Sequence, residues 1–130
     1  MGDDLFGDDE ATVSKLQILG RRIGDVAMLV LSGEMLVDDG DLALRQQIHD
    51  LLDQGRDKIL VDLAAVSHID SAGVGMMVAK QKTVRDRGGD LKLLHLTSRS
   101  QRLLALMKLA SVFEAFEDED AAIESFAQQA

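Results

Sequence analysis

One serine of the chain stands between an aspartate and two glycines, in the segment HIDSAGVG at residues 68–75. The hydroxyl of Ser71 could start a helix, attack a substrate, help to hold a phosphate or receive one. Attack would require an imidazole and a carboxylate that converge on the hydroxyl, supplied by His68 and by Asp62 or Asp70. His68 lies only three residues before Ser71, and the G-x-S-x-G pattern of a nucleophile elbow is absent. The spacing therefore disfavours a serine hydrolase.

Other chemistry-bearing patterns are equally incomplete. Gly73 and Gly75 precede a helical pattern, but the Walker sequence and the third glycine of a dinucleotide fingerprint are missing. No metal-ligand spacing joins the three histidines, and the chain has no cysteine. A cluster of acids lacks the alternating ligands of a calcium loop and suits turn and helix-cap roles instead: Asp38, Asp39 and Asp41. We therefore expect no catalytic residue, no cofactor and no metal.

The same segment suits the start of a helix, because serine and aspartate are common N-cap residues. It also suits a phosphate, since the first N–H groups of a helix and the helix dipole favour anions. Gly73 and Gly75 would keep the first turn free of bulk for an approaching protein. A strip of small residues follows, formed by Ala72, Gly75, Met76 and Ala79. Such a strip suits close packing within a protein or docking of a partner, and the residues alone leave both open.

Strand-like and helix-like patterns alternate along the chain. A hairpin is predicted at 15–22 and 26–32, around the Gly24-Asp25 turn. Helical spacing of apolar residues begins near Leu44 and stops at Gly55, and a continuous apolar run at 58–66 predicts a buried strand. The later elements are a helix at 71–87, a strand at 91–96, a helix at 98–109, an edge strand at 111–116 and a helix at 117–128. This order predicts one α/β domain with a mostly parallel mixed sheet, an N-terminal hairpin and about four helices.

Charge is distributed unevenly over the 130 residues. Residues 1–14 contain five acids and no base, residues 114–130 contain six acids and no base, and the remainder holds 12 acids and all 14 lysines and arginines. We expect residues 1–13 to form a disordered acidic tail and residues 14–130 to form the domain. The absence of a basic stripe with aromatics argues against direct nucleic-acid binding. Without a signal peptide or an apolar run of about 18–20 residues, we expect a cytoplasmic protein with no membrane partner.

The segment ILVDLAAVSHIDSAGVGMMV, residues 59–78, resembles the central signature of the STAS domain as found in anti-sigma-factor antagonists. The similarity extends over most of residues 15–127. LSGEM resembles the glycine-glutamate strand end of that family, RGGDLKLLHLT its next strand, and LMKLASVFEAFEDEDAAIESF its C-terminal portion. The resemblance implies a single STAS-type α/β domain that is not an enzyme and is itself modified by one.

In that family the serine after the aspartate receives a phosphate from an anti-sigma factor that is also a serine kinase. The unphosphorylated antagonist binds the anti-sigma factor and frees the sigma factor, and a serine phosphatase resets the phosphorylated form. The resemblance thus implies partner switching controlled by phosphorylation of Ser71. It also implies a partner-binding surface formed by Asp70, Ser71, Ala72, Gly73, Gly75, Met76 and Ala79.

Two departures from the family pattern concern the partner. Ala72 stands where many members have a second hydroxyl, which leaves Ser71 as the only acceptor in the motif. After Gly33 and Glu34, the apolar stretch 35–37 precedes Asp38, where many members have one apolar residue and then an aspartate. Two other functions remain as alternatives: a scaffold or structural STAS protein in a larger sensory assembly, and an enzyme that uses Ser71. The small size of the chain disfavours the scaffold.

Overall fold

Six strands and four helices follow one another along the part of the chain that the computed structural model describes, residues 3–6, 15–36 and 39–127. The strands are β1 (Asp3–Phe6), β2 (Leu16–Ile23), β3 (Val26–Met35), β4 (Lys58–Ile69), β5 (Asp90–Leu94) and β6 (Ala115–Phe116). The helices are α1 (Asp39–Asp53), α2 (Ser71–Asp86), α3 (Ser98–Leu106) and α4 (Glu119–Ala127). One mixed sheet joins the strands in the order β1-β2-β3-β4-β5-β6. The first two pairings are antiparallel and the other three are parallel.

The predicted fold class and the predicted order of elements from β2 onward are confirmed. The structure differs at the N-terminus, where Asp3–Phe6 pairs with the outer edge of β2, so that the predicted disorder is wrong for these four residues. Pairing between backbone groups requires no apolar pattern, which is why the acidic sequence did not indicate a strand. The other residues of the predicted tail, 1–2 and 7–13, lie outside the described residues. The predicted edge strand is shortened to Ala115–Phe116.

Helices cover the two faces of the sheet unequally. Side chains from α1, α2 and α3, such as Ile48, Val74 and Leu104, pack in one large core with residues of β2 to β5. On the opposite face, Ala122 and Phe126 of α4 pack in a smaller core with Val26, Met28, Leu60 and Leu94. Because the first halves of β3 and β4 are covered on both faces, their sequences there are apolar almost without alternation. α2 therefore begins on the face of the sheet that α1, α2 and α3 cover.

A lysine lies inside the smaller core. Lys92 of β5 is 1% exposed, and its Nζ lies 2.9 Å from Oε1 of Glu114 and 4.5 Å from the ring centroid of Phe126. The same ammonium donates a hydrogen bond of 2.8 Å to the hydroxyl of Ser125. A carboxylate, a hydroxyl and an aromatic face thus replace the water that this charge would lose on burial. Lys92 joins β5 both to α4 and to the segment that leads into β6.

β4 contains two more residues than the part of β3 with which it pairs. Between the first and last paired positions, β3 advances from Ala27 to Met35 while β4 advances from Ile59 to Ile69. The register shifts once between Val30 and Ser32 and once between Gly33 and Glu34. Each shift is a β-bulge, in which the longer strand holds an unpaired extra residue. The first bulge (residues 63–64) and the second bulge (Ser67) both lie in the half of β4 that leads to α2.

Candidate functional site

The chain passes from β4 into α2 at Asp70. The backbone of Asp70 is extended, with φ −109° and ψ 176°, and its Oδ1 accepts the N–H of Gly73 at 2.8 Å. This is the geometry of an N-cap residue. Ser71 is the first residue of the helix and is exposed. Of the two residues that could cap the helix, Asp70 is therefore the cap, and Ser71 begins the helix without capping it.

Gly73 is the point at which α2 touches the end of β3. A Cβ at this position would lie 2.8 Å from the carbonyl oxygen of Met35 and 3.4 Å from Cγ of the same residue. That carbonyl also accepts the N–H of Asp70 at 3.4 Å. The interpretation that Gly73 leaves room for a partner is thus corrected, since its small size lets the helix pack on the strand. Gly75 differs, because it is exposed and a Cβ there would have no heavy atom within 4 Å.

The predicted partner-binding residues separate into two groups in the structure. Gly73 and Met76 are buried, and Met76, only 7% exposed, packs in the larger core. Asp70 is half-buried, and its carboxylate is engaged in the cap. The exposed members share one side of α2 at helical spacing and form what we call the small-residue face: Ser71, Ala72, Gly75 and Ala79. Gly73 and Met76 therefore expose little surface to a partner, and the partner-binding role of the predicted set stays a prediction.

Polar side chains gather at the ends of β3 and β4, where α2 begins. Glu34 lies opposite His68 in the sheet, with 3.6 Å between Oε2 of Glu34 and Nδ1 of His68. Nζ of Lys15 lies 3.9 Å from Oε1 of Glu34, and the hydroxyl of Ser67 lies 3.1 Å from Nδ1 of His68. Sequence reasoning missed Lys15, which strand pairing alone brings to the site, and it did not single out Ser67, although Ser67 directly precedes His68. The glycine-glutamate pair at 33–34 was the available signal.

The other candidate for a catalytic carboxylate points elsewhere. Oδ1 of Asp62 lies 3.0 Å from Nδ1 of His95 and accepts the N–H of Ala64 at 3.0 Å. The carboxylate of Asp62 is therefore engaged with His95, just after β5, rather than with His68 and Ser71. In the described part of the chain, no group of three histidine, aspartate or glutamate side chains is arranged to hold a metal. None of the helices in that part has the length and apolar character required to cross a membrane.

The division of roles at the start of α2 predicts a difference in stability between two neighbouring variants. Asp70→Ala removes the acceptor for the Gly73 N–H, so we expect the free energy of unfolding to fall by about 1 kcal/mol. Ser71→Ala removes an exposed hydroxyl at the first helical position, and we expect a change within about 0.5 kcal/mol. Urea unfolding of both variants measures the difference. Equal losses in the two variants would contradict the assignment of Asp70 as the cap.

Comparisons with known proteins agree with this architecture. The family model of the STAS domain matches residues 17–122. The anti-sigma-B factor antagonist of Bacillus subtilis is 37% identical over 71 residues, which cover 55% of this chain and 64% of that protein. An anti-sigma factor antagonist from Mycobacterium paratuberculosis superposes with a TM-score of 0.74 at 21% identity, covering 87% of this chain and 95% of the other. SpoIIAA of Bacillus in its phosphorylated form superposes with a TM-score of 0.63 at 18% identity, covering 95% and 97%. At these identities the two solved structures establish a shared fold.

Proposed function

This chain belongs to the STAS domain family, and from that membership we propose that it acts as an anti-sigma-factor antagonist switched by phosphorylation of Ser71. The unphosphorylated protein binds an anti-sigma factor that is also a serine kinase. Phosphorylation of Ser71 releases the partner, and a serine phosphatase restores the binding form. Transcription is regulated through the exchange of partners in the cytoplasm, and the chain itself catalyses no reaction.

The observation that carries the proposal is the position of Ser71. Its hydroxyl is exposed at the first residue of α2, while the cap is supplied by Asp70. A kinase can therefore reach the hydroxyl without breaking an interaction on which the helix depends. The proposal is also consistent with the similarity in fold to SpoIIAA, which has been solved in a phosphorylated form. Modification of Ser71 would consequently leave the N-cap hydrogen bond of α2 intact.

The proposed switch depends on the charge and bulk of the phosphate. A phosphoserine carries about −1.5 to −2 charges at pH 7, and the N-terminus of α2 can accommodate an anion within the domain. The partner must instead approach closely over Ala72, Gly75 and Ala79, whose side chains are small or absent. A bulky anion beside Asp70 blocks that approach and adds repulsion. An unfavourable contribution of about 3 kcal/mol weakens binding roughly a hundredfold, which is sufficient for a switch.

Incubation with the cognate kinase and ATP, followed by mass spectrometry, tests the acceptor. We expect one phosphate on the wild-type protein and none on Ser71→Ala. Ser98→Ala is a matched control, because Ser98 is also an exposed serine at the first position of a helix, where Thr97 supplies the cap. This control should be phosphorylated like the wild type. Phosphate on Ser98 or no phosphate on Ser71 would contradict the proposal.

Binding of the same variants to the kinase tests the switch itself. Ser71→Ala should bind within about twofold of the wild type, because alanine is as small as serine and the other three residues of the small-residue face are unchanged. Ser71→Asp should bind roughly a hundredfold more weakly while it keeps the wild-type circular dichroism spectrum. Wild-type affinity in folded Ser71→Asp would show that negative charge at this position does not control the partner.

A further inference from the structure

The two bulges of β4 determine where α2 begins. β4 residues that face the larger core follow the usual spacing of two from Ile59 to Val61 and Leu63, and the next two are Val66 and Ile69. Each step of three residues coincides with a bulge. A strand rises about 3.3 Å per residue. The two extra residues therefore place Ser71 roughly 7 Å closer to the end of the sheet than it would lie if β4 had no bulges. This shortening lets Asp70 and Gly73 meet the carbonyl oxygen of Met35.

The first bulge is held by a buried carboxylate. Asp62 is 9% exposed, and its Oδ1 accepts the N–H of Ala64, which lies within the bulge. Nδ1 of His95 lies 3.0 Å from the same oxygen. His95 adopts a left-handed backbone with φ 58°, a conformation that non-glycine residues rarely occupy. The histidine thus keeps a costly conformation in which its ring supports the carboxylate that holds the bulge.

The second bulge is held by a hydroxyl. Ser67 donates from Oγ to the carbonyl oxygen of Gly33 at 3.2 Å, across the point at which the register shifts. Gly33 has φ 103°, so the strand opposite the bulge also takes a special conformation. Beyond this bulge, Glu34 lies opposite His68 and Met35 opposite Ile69. Both irregularities are therefore secured by side-chain hydrogen bonds.

We propose that Asp62 and Ser67 are positioning residues for phosphorylation of Ser71. They act through the bulges, which fix the register of the last part of β4. That register determines how far the first turn of α2 lies beyond the end of the sheet, measured along the direction of β4. If the first bulge is lost, the register slips by one residue, which places His68 where Ile69 packs and moves Ser71 outward by about 3.3 Å. The expected effect on the phosphorylation rate rests on the proposed function. The expected effect on the register of β3 and β4 rests on the sheet alone.

Kinetics of phosphoryl transfer with the cognate kinase test the functional consequence. Asp62→Ala removes the acceptor, and a misplacement of about 1 Å can cost on the order of a hundredfold in rate. We expect kcat/KM to fall at least about tenfold, chiefly in kcat, because the small-residue face is still presented for binding. Asp62→Asn keeps an acceptor oxygen and should stay within about threefold of the wild type. Ser67→Ala should likewise lose rate, and Ser67→Thr should recover it.

A control and a second variant separate positioning from stability. Phe126→Leu weakens the smaller core, on the face of the sheet opposite α2, and should be phosphorylated at the wild-type rate below its melting temperature. His95→Gly suits the left-handed backbone and removes one group that contacts Asp62, so it provides a folded variant if Asp62→Ala does not fold. We expect it to lose rate severalfold. A normal kcat in His95→Gly and Ser67→Ala would overturn the inference, as would an equal loss in Phe126→Leu.

Nuclear Overhauser contacts test the register without any kinase. In the wild type, Met35 should show cross-strand contacts with Ile69, and in folded Asp62→Ala these should be replaced by contacts with His68. An unchanged Met35–Ile69 pairing in that variant would overturn the inference, whatever the kinase does. A wild-type protein that is not phosphorylated on Ser71 would instead contradict the proposed function, while the register measurement would still decide whether Asp62 holds the bulge.

Discussion

Gly33→Ala is expected to lower the free energy of unfolding by about 3 kcal/mol or more. The backbone of Gly33 is left-handed, with φ 103°, which costs a residue with a Cβ about 1–2 kcal/mol. A Cβ at this position would also overlap the carbonyl oxygen of Lys15, and forced overlap in packed structure costs a further 1–3 kcal/mol, roughly. The amide of Glu34 donates to the same carbonyl at 3.0 Å, so relief by movement of Lys15 would stretch that bond. Urea unfolding measures the loss.

Gly75→Ala is the matched control for this substitution. Gly75 is exposed inside α2, and no heavy atom lies within 4 Å of the Cβ that alanine would add. Alanine favours a helix over glycine by up to about 1 kcal/mol, so this variant should be as stable as the wild type or more stable. If both variants unfolded at the same urea concentration, neither the left-handed backbone nor the contact with Lys15 would constrain position 33.

Glu114→Gln is expected to destabilise the fold more than Lys92→Met does. Glu114→Gln removes the carboxylate and leaves the ammonium of Lys92 in the smaller core, where its side chain is 2% exposed. Loss of one partner of a fully buried ion pair costs about 3–5 kcal/mol, and the 59% exposure of Glu114 reduces the expected loss to about 2 kcal/mol. Lys92→Met removes the charge itself and keeps most of the packing volume, so we expect a change of less than about 1 kcal/mol.

Thermal unfolding at pH 7 distinguishes these two variants. Glu117→Gln is a suitable control, because Glu117 is an exposed acid on the other side of β6, and its substitution should leave the melting temperature within a few degrees of the wild type. A loss for Lys92→Met that exceeds the loss for Glu114→Gln would mean that the ammonium contributes net stability through Phe126 and Ser125. The ion pair would then not be the interaction that makes burial of Lys92 tolerable.

Local patterns were sufficient for most of the fold. Changes between strand and helix periodicity are properties of neighbouring residues, which is why the order from β2 to α4 and the start of α2 near Ser71 could be predicted. The roles of Asp70 and Ser71 could not be separated, since both residues are good caps and only the backbone angles distinguish them. The bulges of β4 could not be predicted, because Ala64 and Ala65 make the run from Leu63 to Val66 continuously apolar and hide which residues face the core.

Contacts between distant parts of the chain account for the rest. Gly73 packs against the carbonyl oxygen of Met35, and Gly33 packs against that of Lys15, so neither position has room for a Cβ. Neither contact can be recognised before the strands are aligned. Lys92 is buried because α4 and Glu114 supply its partners, whereas a lysine in a sequence is ordinarily assigned to the surface. β1 pairs through its backbone with β2, so its acidic composition carries no signal of a strand. In each case the deciding partner is distant in the sequence.

The cap formed by Asp70 has a consequence for the amount of protein present in a cell. Degradation acts on unfolded molecules, so a change of 1–2 kcal/mol in stability, roughly, can alter abundance severalfold. Asp70 accepts the hydrogen bond from the Gly73 N–H. Neither removal of the Ser71 hydroxyl nor attachment of a group to it therefore breaks that hydrogen bond. Turnover by proteases should therefore be the same for every chemical form of Ser71. A modification of Ser71 would then change which partner the protein binds without changing the abundance of the protein.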